Sequence, residues 1–238
     1  MTKENKKPII VVLIPAYNEE QSVGKVIDEI PKDWISEIIV CNNNSNDNTE
    51  KVARAHGATV VNQPLPGYGN ACLKGIEYLK NKTQTPDIVV FIDGDYSDFP
   101  AEMPNVFLPI IEKNYDMVIG SRTLGNNEKG SITPQQIFGN WLATTLVRWI
   151  YGYRFTDLGP FRAIRWDRLM AINMIDKNYG WTVEMQIKAA RHQFRCLEVP
   201  VNYRQRIGVS KVSGTLKGTV MAGYKILLLI FKYAIFKV

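Results

Sequence analysis

The chain has 238 residues, enough for one large domain or two small ones. Hydrophobic residues make up 45% and charged residues 22%, which excludes disordered and collagen-like architectures and allows a core that needs no disulfide staples. Lys plus Arg (29) exceeds Asp plus Glu (23) by 29 − 23 = +6, a mild basicity compatible with an anionic substrate, an anionic membrane face or nucleic acid.

The first half alternates short apolar runs with helical patterns. PIIVVLIP (8–15) is a nearly unbroken apolar run, as expected of a strand buried on both faces, and 19–30 is an amphipathic helix stopped by Pro31. Asn18 or Glu19 is placed to cap that helix. A strand at 36–41, a helix at 48–56, a strand at 58–63 and a helix at 71–80 follow. Next come a strand at 87–93, a helix at 100–113 around two prolines, and a strand at 116–120. Strands alternating with helices imply right-handed crossovers and a mostly parallel sheet, which binds ligands beyond the carboxyl ends of its strands.

Beyond that point the pattern changes. Residues 120–133 form a polar, Gly-rich segment expected to be a mobile loop, and 135–151 is a helix with apolar and aromatic faces. A loop-strand segment at 155–164, helices at 166–176 and 182–193, and a strand at 196–204 precede a basic loop at 205–214. No internal repeat or low-complexity linker divides the chain. The expected organisation is one domain over 1–215, with a nucleotide-binding half at 8–121 and an acceptor-binding half at 122–215. An amphipathic helix at 216–238 follows.

Five clusters can carry chemistry. Asp93-Gly94-Asp95 follows a buried strand; two such carboxylates repel unless a cation joins them, and Mg²⁺ or Mn²⁺ shared with a diphosphate would do so. The same triplet is also common surface-turn chemistry. Pro15-Ala16-Tyr17-Asn18-Glu19-Glu20 is either an acidic helix start or a nucleoside pocket with Glu19 on ribose hydroxyls. The amides of 42–47 suit either a base edge or an N-cap. Gly67-Tyr68-Gly69 is a fragment of a dinucleotide fingerprint in the wrong context, following Pro-Leu-Pro rather than a strand end. Arg204, Arg206, Lys211 and Lys217 are either a solvated basic loop or a phosphate clamp.

In sequence, IPAYNEE, NNNSNDNT, GYGNA, FIDGDYSDFP, GSR, FTDLGPFRAI and RIGVSK together resemble family-2 glycosyltransferases, nearest the dolichyl- and polyprenyl-phosphate mannosyl- and glucosyltransferase branch, over roughly residues 8–215. The resemblance implies a GT-A (Rossmann-like) α/β fold, a mostly parallel sheet flanked by helices, with a metal-binding DxD motif. It implies nucleotide-sugar contacts from Pro15, Tyr17, Glu19, Asn42, Gly69, Asp93, Gly94, Asp95, Arg206 and Lys211. Asp93 and Asp95 are the implied ligands of Mg²⁺ or Mn²⁺, Arg122 and Asn140 face the acceptor, and Asp157 stands where a base has been assigned. Asn42 replaces the usual Asp against the base; an amide pairs with uracil or guanine alike, so the donor is UDP- or GDP-linked, with uridine slightly favoured. Ile137 and Trp141 stand where the branch often carries phosphate-gripping Arg, which counts against a polyprenyl-phosphate acceptor unless Arg122 and Arg148 compensate.

The expected reaction is inverting hexosyl transfer to a lipid-phosphate or glycan acceptor. A hydroxyl acceptor needs a base, Asp157 or Glu184, and Glu184 is equally readable as an exposed helix residue; a phosphate needs none. A nucleotidyltransferase would carry a basic Gly-rich loop where AYNEE is acidic. A non-catalytic sugar-nucleotide or scaffold protein fits the changes at Asn42, Ile137 and Trp141 but not Asp93 and Asp95. Nucleic acid is not an expected partner, since no reading motif appears. Cys41, Cys72 and Cys196, odd in number and without a CxxC, are expected as reduced, mostly buried thiols of a cytoplasmic protein. The N-terminus has no signal-peptide core, and the tail at 218–238 is too interrupted by Lys for a span of about 20 residues. Its pattern suggests a helix lying in the membrane interface, placing the protein peripherally on the inner face of the cell membrane; packing on the domain is the other reading.

Overall fold

The computed structural model describes residues 7–208 and 216–235. Strand β1 (Ile10–Ala16) is buried at every position, as its unbroken apolar run requires. It lies between β2 (Glu37–Asn42) and β4 (Ile88–Phe91), both parallel to it, and β3 (Thr59–Asn62) adds to β2. β6 (Arg162–Arg165) runs antiparallel between β4 and β5 (Met117–Ser121), and β7 (Cys196–Pro200) pairs parallel with β5. The seven-stranded order is β3-β2-β1-β4-β6-β5-β7. The chain reverses its direction of sheet growth between β1 and β4, and a crevice opens there beyond the strand ends.

Helices cover both faces. α1 (Val23–Glu29), α2 (Thr49–Ala55) and α4 (Met103–Lys113) bury Val26, Ile27, Ala53, Val106 and Phe107 against Ile10, Val12 and Ile14. On the other face α3 (Tyr68–Lys80), α5 (Pro134–Tyr151) and α7 (Trp181–Arg191) enclose Leu13, Phe91 and Trp181. Each such side chain stabilises the fold by about 1.5–3 kcal/mol relative to exposure. α6 (Trp166–Ala171) is short, and α8 (Leu216–Ile235) packs on α5 and α7 through Leu229, Ile230 and Tyr233. Cys41 and Cys72 are buried, Cys196 is half-buried, and all three are free thiols.

Two local expectations are corrected. The first helix starts at Val23 rather than at residue 19, and neither Asn18 nor Glu19 caps it. Asn18 takes a left-handed φ of 54°, tolerable for Asn, and its Oδ1 accepts from the Asn46 N–H. The expected mobile loop at 120–133 is laced to the irregular segment 201–205 that follows β7. Tyr203 N–H donates to Asn126 O, Glu128 N–H to Tyr203 O, and Gln205 N–H to the Glu128 carboxylate.

Candidate active site

The ends of β1 and β4 open into a cleft of about 390 Å³, within the range of small-ligand sites. Pro15, Tyr17 and Glu19 form one wall, Asp93, Gly94 and Asp95 the floor, and Arg206 a rim. The loops after β1 and β2 are tied to each other by Asn18 N–H to Ser45 Oγ (3.0 Å), Glu19 N–H to Thr49 Oγ1 (2.8 Å) and Asn48 N–H to the Glu20 carboxylate (2.9 Å). Two polar turns that would be loose alone thus become a fixed wall.

The floor is electrostatically strained. Burial, then the charge of Asp95, pushes the Asp93 carboxyl up to about 7, although the Tyr68 hydroxyl donates to it at 2.8 Å and Arg206 and Arg122 pull it back. Burial and the charge of Asp93 push the Tyr68 hydroxyl up as well, so it donates as a neutral phenol. Asp95 gives Oδ1 to the backbone N–H and hydroxyl of Ser97, which leaves Oδ2 for Arg206 at 3.1 Å. The same guanidinium reaches Glu19 at 3.3 Å. Three residues later Asp98 is buried, and neither of its carboxyl oxygens has a hydrogen-bond partner among the described residues. Burial, with Asp93 beside it, raises its carboxyl well above the ordinary range.

A second polar layer lies behind the cleft. Arg122 donates from its backbone N–H and Nε to Asp157 Oδ2 (both 2.8 Å) and from Nη2 to Oδ1 (2.7 Å), and its guanidinium lies 5.0 Å over the Tyr203 ring. Asp157 is 1% exposed. Its peptide is gripped on all sides: Glu198 accepts the Thr156 and Asp157 N–H groups, Gln186 donates to the Asp157 carbonyl, and Asn140 bonds Thr156 O and Leu158 N–H. Beneath it the fully buried Arg162 donates to the carbonyls of Leu158, Gly159 and Thr182, and burial draws its guanidinium down to about 10.

Comparison with known proteins shows the family and the fold. The model of "Glycosyl transferase family 2" matches residues 11–172, more than half of the chain. The chain belongs to glycosyl transferase family 2. It is 33% identical over 221 residues to an uncharacterized glycosyltransferase of Mycobacterium tuberculosis, covering 90% of this chain and 94% of that one. It is 32% identical to the dolichyl-phosphate hexose transferase of Haloferax volcanii (85% and 86% covered) and 28% to the undecaprenyl-phosphate mannosyltransferase of Micrococcus luteus (88% and 89%). Among solved structures, glucosyl-3-phosphoglycerate synthase of Mycobacterium tuberculosis, in complex with Mn²⁺, UDP and glucosyl-3-phosphoglycerate, superposes with a TM-score of 0.74. That likeness, at 23% identity over 95% of this chain and 80% of that one, shows the GT-A fold.

In this family 2 glycosyltransferase the sequence-based site residues divide. Pro15, Tyr17, Glu19, Asp93, Gly94, Asp95 and Arg206 meet at the cleft. Asn42 does not line it: its amide bonds Asn62 and the Ser45 N–H, while Asn43 and Asn44 form the wall. Asn44 has a left-handed φ of 59°, which Asn tolerates. Gly69 serves packing, since a Cβ there would stand 2.0 Å from the Asp176 carbonyl. Asn140 uses its amide on the backbone around Asp157 rather than on open space.

Glu184 is neither the exposed residue nor the base expected. It is fully buried; Oε1 takes the Tyr233 hydroxyl and Lys188, and Oε2 takes the Asp176 N–H. Lys211 lies outside the described residues, and Lys217 is described only as backbone of α8. Sequence reasoning missed Tyr68, Asn178 and Tyr179 in the cleft, and Glu198, Gln186 and Arg162 behind it. Tyr68 and Arg162 lay within quoted motifs, whereas the others carried no local signal.

Proposed function

We propose that this glycosyltransferase moves a hexose, with inversion, from a nucleoside-diphosphate sugar to a lipid-phosphate acceptor at the cytoplasmic face of the membrane, with a glycan hydroxyl as the lesser alternative. The observation that carries the reading is the pair Asp93 and Asp95 at the β4 end, one carboxyl raised by burial and by its neighbour's charge and one oxygen of the other turned toward the cleft.

That donor set fits Mg²⁺ or Mn²⁺. It is hard oxygen, and its repulsion is relieved by a dication. Asp93 and Asp95 are the residues that would hold it, and a bound dication would neutralise charge growing on the leaving diphosphate. The residues of the chain do the rest. Pro15, Tyr17 and Glu19 accept the nucleoside, and Arg206 turns from Asp95 to the diphosphate and helps exclude water. Lys211 is assigned to the same task.

An acceptor oxygen forms its bond to the anomeric carbon as the bond to the diphosphate oxygen breaks, and the nucleoside diphosphate leaves. Arg122 is the cation on the acceptor side. Asp157, with both oxygens engaged by Arg122, suits an orienting role better than proton abstraction, which favours an acceptor that is already ionised. Ile137, Phe138 and Trp141, with Pro134, form an open apolar patch on α5. Such a patch suits a lipid chain, so the residues that counted against a polyprenyl phosphate on sequence support one here. The names of the Haloferax and Micrococcus relatives agree.

Thermal-shift titration with UDP, GDP and their glucose and mannose conjugates, in Mn²⁺ and in EDTA, tests the donor half. Saturation at 100 times the dissociation constant stabilises by about 2.7 kcal/mol. A metal-dependent shift with one base is expected, followed by hexose transfer to a short polyprenyl phosphate in detergent. No shift with any nucleotide would defeat the reading in favour of a non-catalytic scaffold.

A further inference from the structure

The segment between α6 and α7 delivers Asn178 and Tyr179 to the cleft. Nothing in its own sequence makes residues 173–180 rigid. Its backbone is instead held by two buried carboxylates. Glu184 accepts the Asp176 N–H at 2.7 Å and the Ile175 N–H at 3.1 Å. Asp176 Oδ1 accepts the Asn178 N–H at 2.8 Å and the Gly180 N–H at 3.0 Å. On the cleft side the segment presses against the start of α3, where Asn70 N–H donates to Lys177 O and a Cβ on Gly67 or Gly69 would strike the carbonyls of Lys177 or Asp176.

Both carboxylates take a further donor from α8, Glu184 beside Lys188 of its own helix. Lys225 Nζ lies 3.0 Å from Asp176 Oδ2, and the Tyr233 hydroxyl donates to Glu184 Oε1 at 2.8 Å. Leu229, between them on the same helix, reaches Gly180 so closely that a Cβ there would lie 2.0 Å from its Cδ1. Lys225, Leu229 and Tyr233 follow one another at four-residue steps, so a single face of α8 meets the loop's two anchors and its last residue. A helix far along the chain from the cleft thereby completes the hydrogen bonding of a cleft wall. Buried carboxylates left short of a donor are costly, so the loop's set position depends on that helix being docked.

We propose that α8 is a positioning element for the donor site: through Lys225–Asp176 and Tyr233–Glu184 it fixes the 173–180 loop so that Asn178 and Tyr179 close on the nucleotide sugar. The proposal rests on the glycosyl-transfer reading above. Lys225 and Tyr233 touch no donor; they act through Asp176 and Glu184, so their loss loosens donor binding without altering the groups at the reacting carbon.

The test uses the full chain with Tyr233→Phe, Lys225→Met and Lys225→Arg. Two readouts are taken: the Kd for UDP or GDP, whichever the wild type binds in Mn²⁺, and hydrogen exchange of the 175–180 amides. Tyr233→Phe keeps the ring in the core and deletes only the hydroxyl. Each of Tyr233→Phe and Lys225→Met should raise Kd about three- to tenfold, the factor for one buried hydrogen bond. Exchange at 175–180 should quicken while β1 stays protected, KM for the donor should rise with kcat within about twofold, and Lys225→Arg should restore binding. An unchanged Kd beside faster loop exchange or a lowered Tm overturns the proposal and makes the α8 contacts merely structural. Unchanged loop exchange also overturns it. A wild type that binds neither nucleotide sinks the glycosyl-transfer reading and this inference together, whereas variants that bind as well as a competent wild type sink this inference alone.

Discussion

Removing one partner from a buried ion pair costs more than the pair contributes, because the survivor keeps its desolvation penalty. Asp157→Asn therefore leaves Arg122 without its countercharge, and the variant should lose about 3–5 kcal/mol of stability, read by urea unfolding. Its turnover alone cannot identify a base. A rise in acceptor KM at a temperature well below the new Tm marks the orienting role, and a collapse of kcat at unchanged KM would mark proton abstraction. Asp98 behaves in the opposite sense. Its folded-state pKa is raised, so its favourable contribution is present at low pH and is lost as pH rises above the ordinary carboxylate range. Asp98→Asn, in EDTA, should gain little stability at about pH 4 and progressively more toward about pH 7, by up to about 1.4 kcal/mol per pH unit. A gain that does not grow with pH would mean that the carboxyl is not held neutral.

Close backbone approach governs the elements. Gly69, in the first turn of α3, lets the helix start lie on the 176–177 peptide. Gly69→Ala drives a Cβ into backbone, which unlike a flexible side chain cannot swing aside, and should cost about 1–3 kcal/mol with weakened nucleotide binding. Calorimetry and a titration on the same sample check both; a fully stable variant with native affinity would show that the two backbones part easily. α5 illustrates the reverse case, in which sequence suffices. Thr133 accepts from the Gln136 N–H while the Gln136 side chain accepts from the Thr133 N–H, with Pro134 at the first helical position. Thr133→Ala should lower stability by about 1 kcal/mol, measured by thermal unfolding, without touching the donor cleft.

Across the molecule, α5 and α8 pack together and both keep large apolar side chains in solvent. Trp149 is 77% exposed and Ile235 73%, and Val220, Tyr224, Leu228, Phe231 and Ile235 recur at helical spacing along one stripe. Arg148 and Lys232 are exposed on the same two helices. No helix among the described residues is long and apolar enough to cross a membrane, so a lipid contact here would be interfacial. The protein should cosediment with anionic vesicles and less with neutral ones, weaken as salt rises, and lose binding in the double variant Trp149→Ser, Phe231→Ser. Equal indifference to both vesicle types, with a dimer in light scattering, would mean that a second copy covers the stripe.

The sequence by itself determined the strands, their alternation with helices and the order of polar clusters at their ends, because a doubly covered strand must be apolar throughout and reactive groups must follow it. That sufficed to bring Pro15, Glu19, Asp93, Asp95 and Arg206 to one place, and to set the family. Only the tertiary structure decided which Asn of 42–44 lines the cleft, because Asn62 of β3 takes the Asn42 amide and leaves Asn43 and Asn44 at the wall. Only it turned Glu184 from a candidate base into an anchor, because its partners Asp176 and Tyr233 come from the loop before α7 and from α8. Arg206 meets Glu19 across 187 positions, and Lys225 completes Asp176 from a helix at the other end of the chain. Local pattern fixes which surfaces must be buried; the partner of each buried charge is a long-range fact, set by how the layers pack.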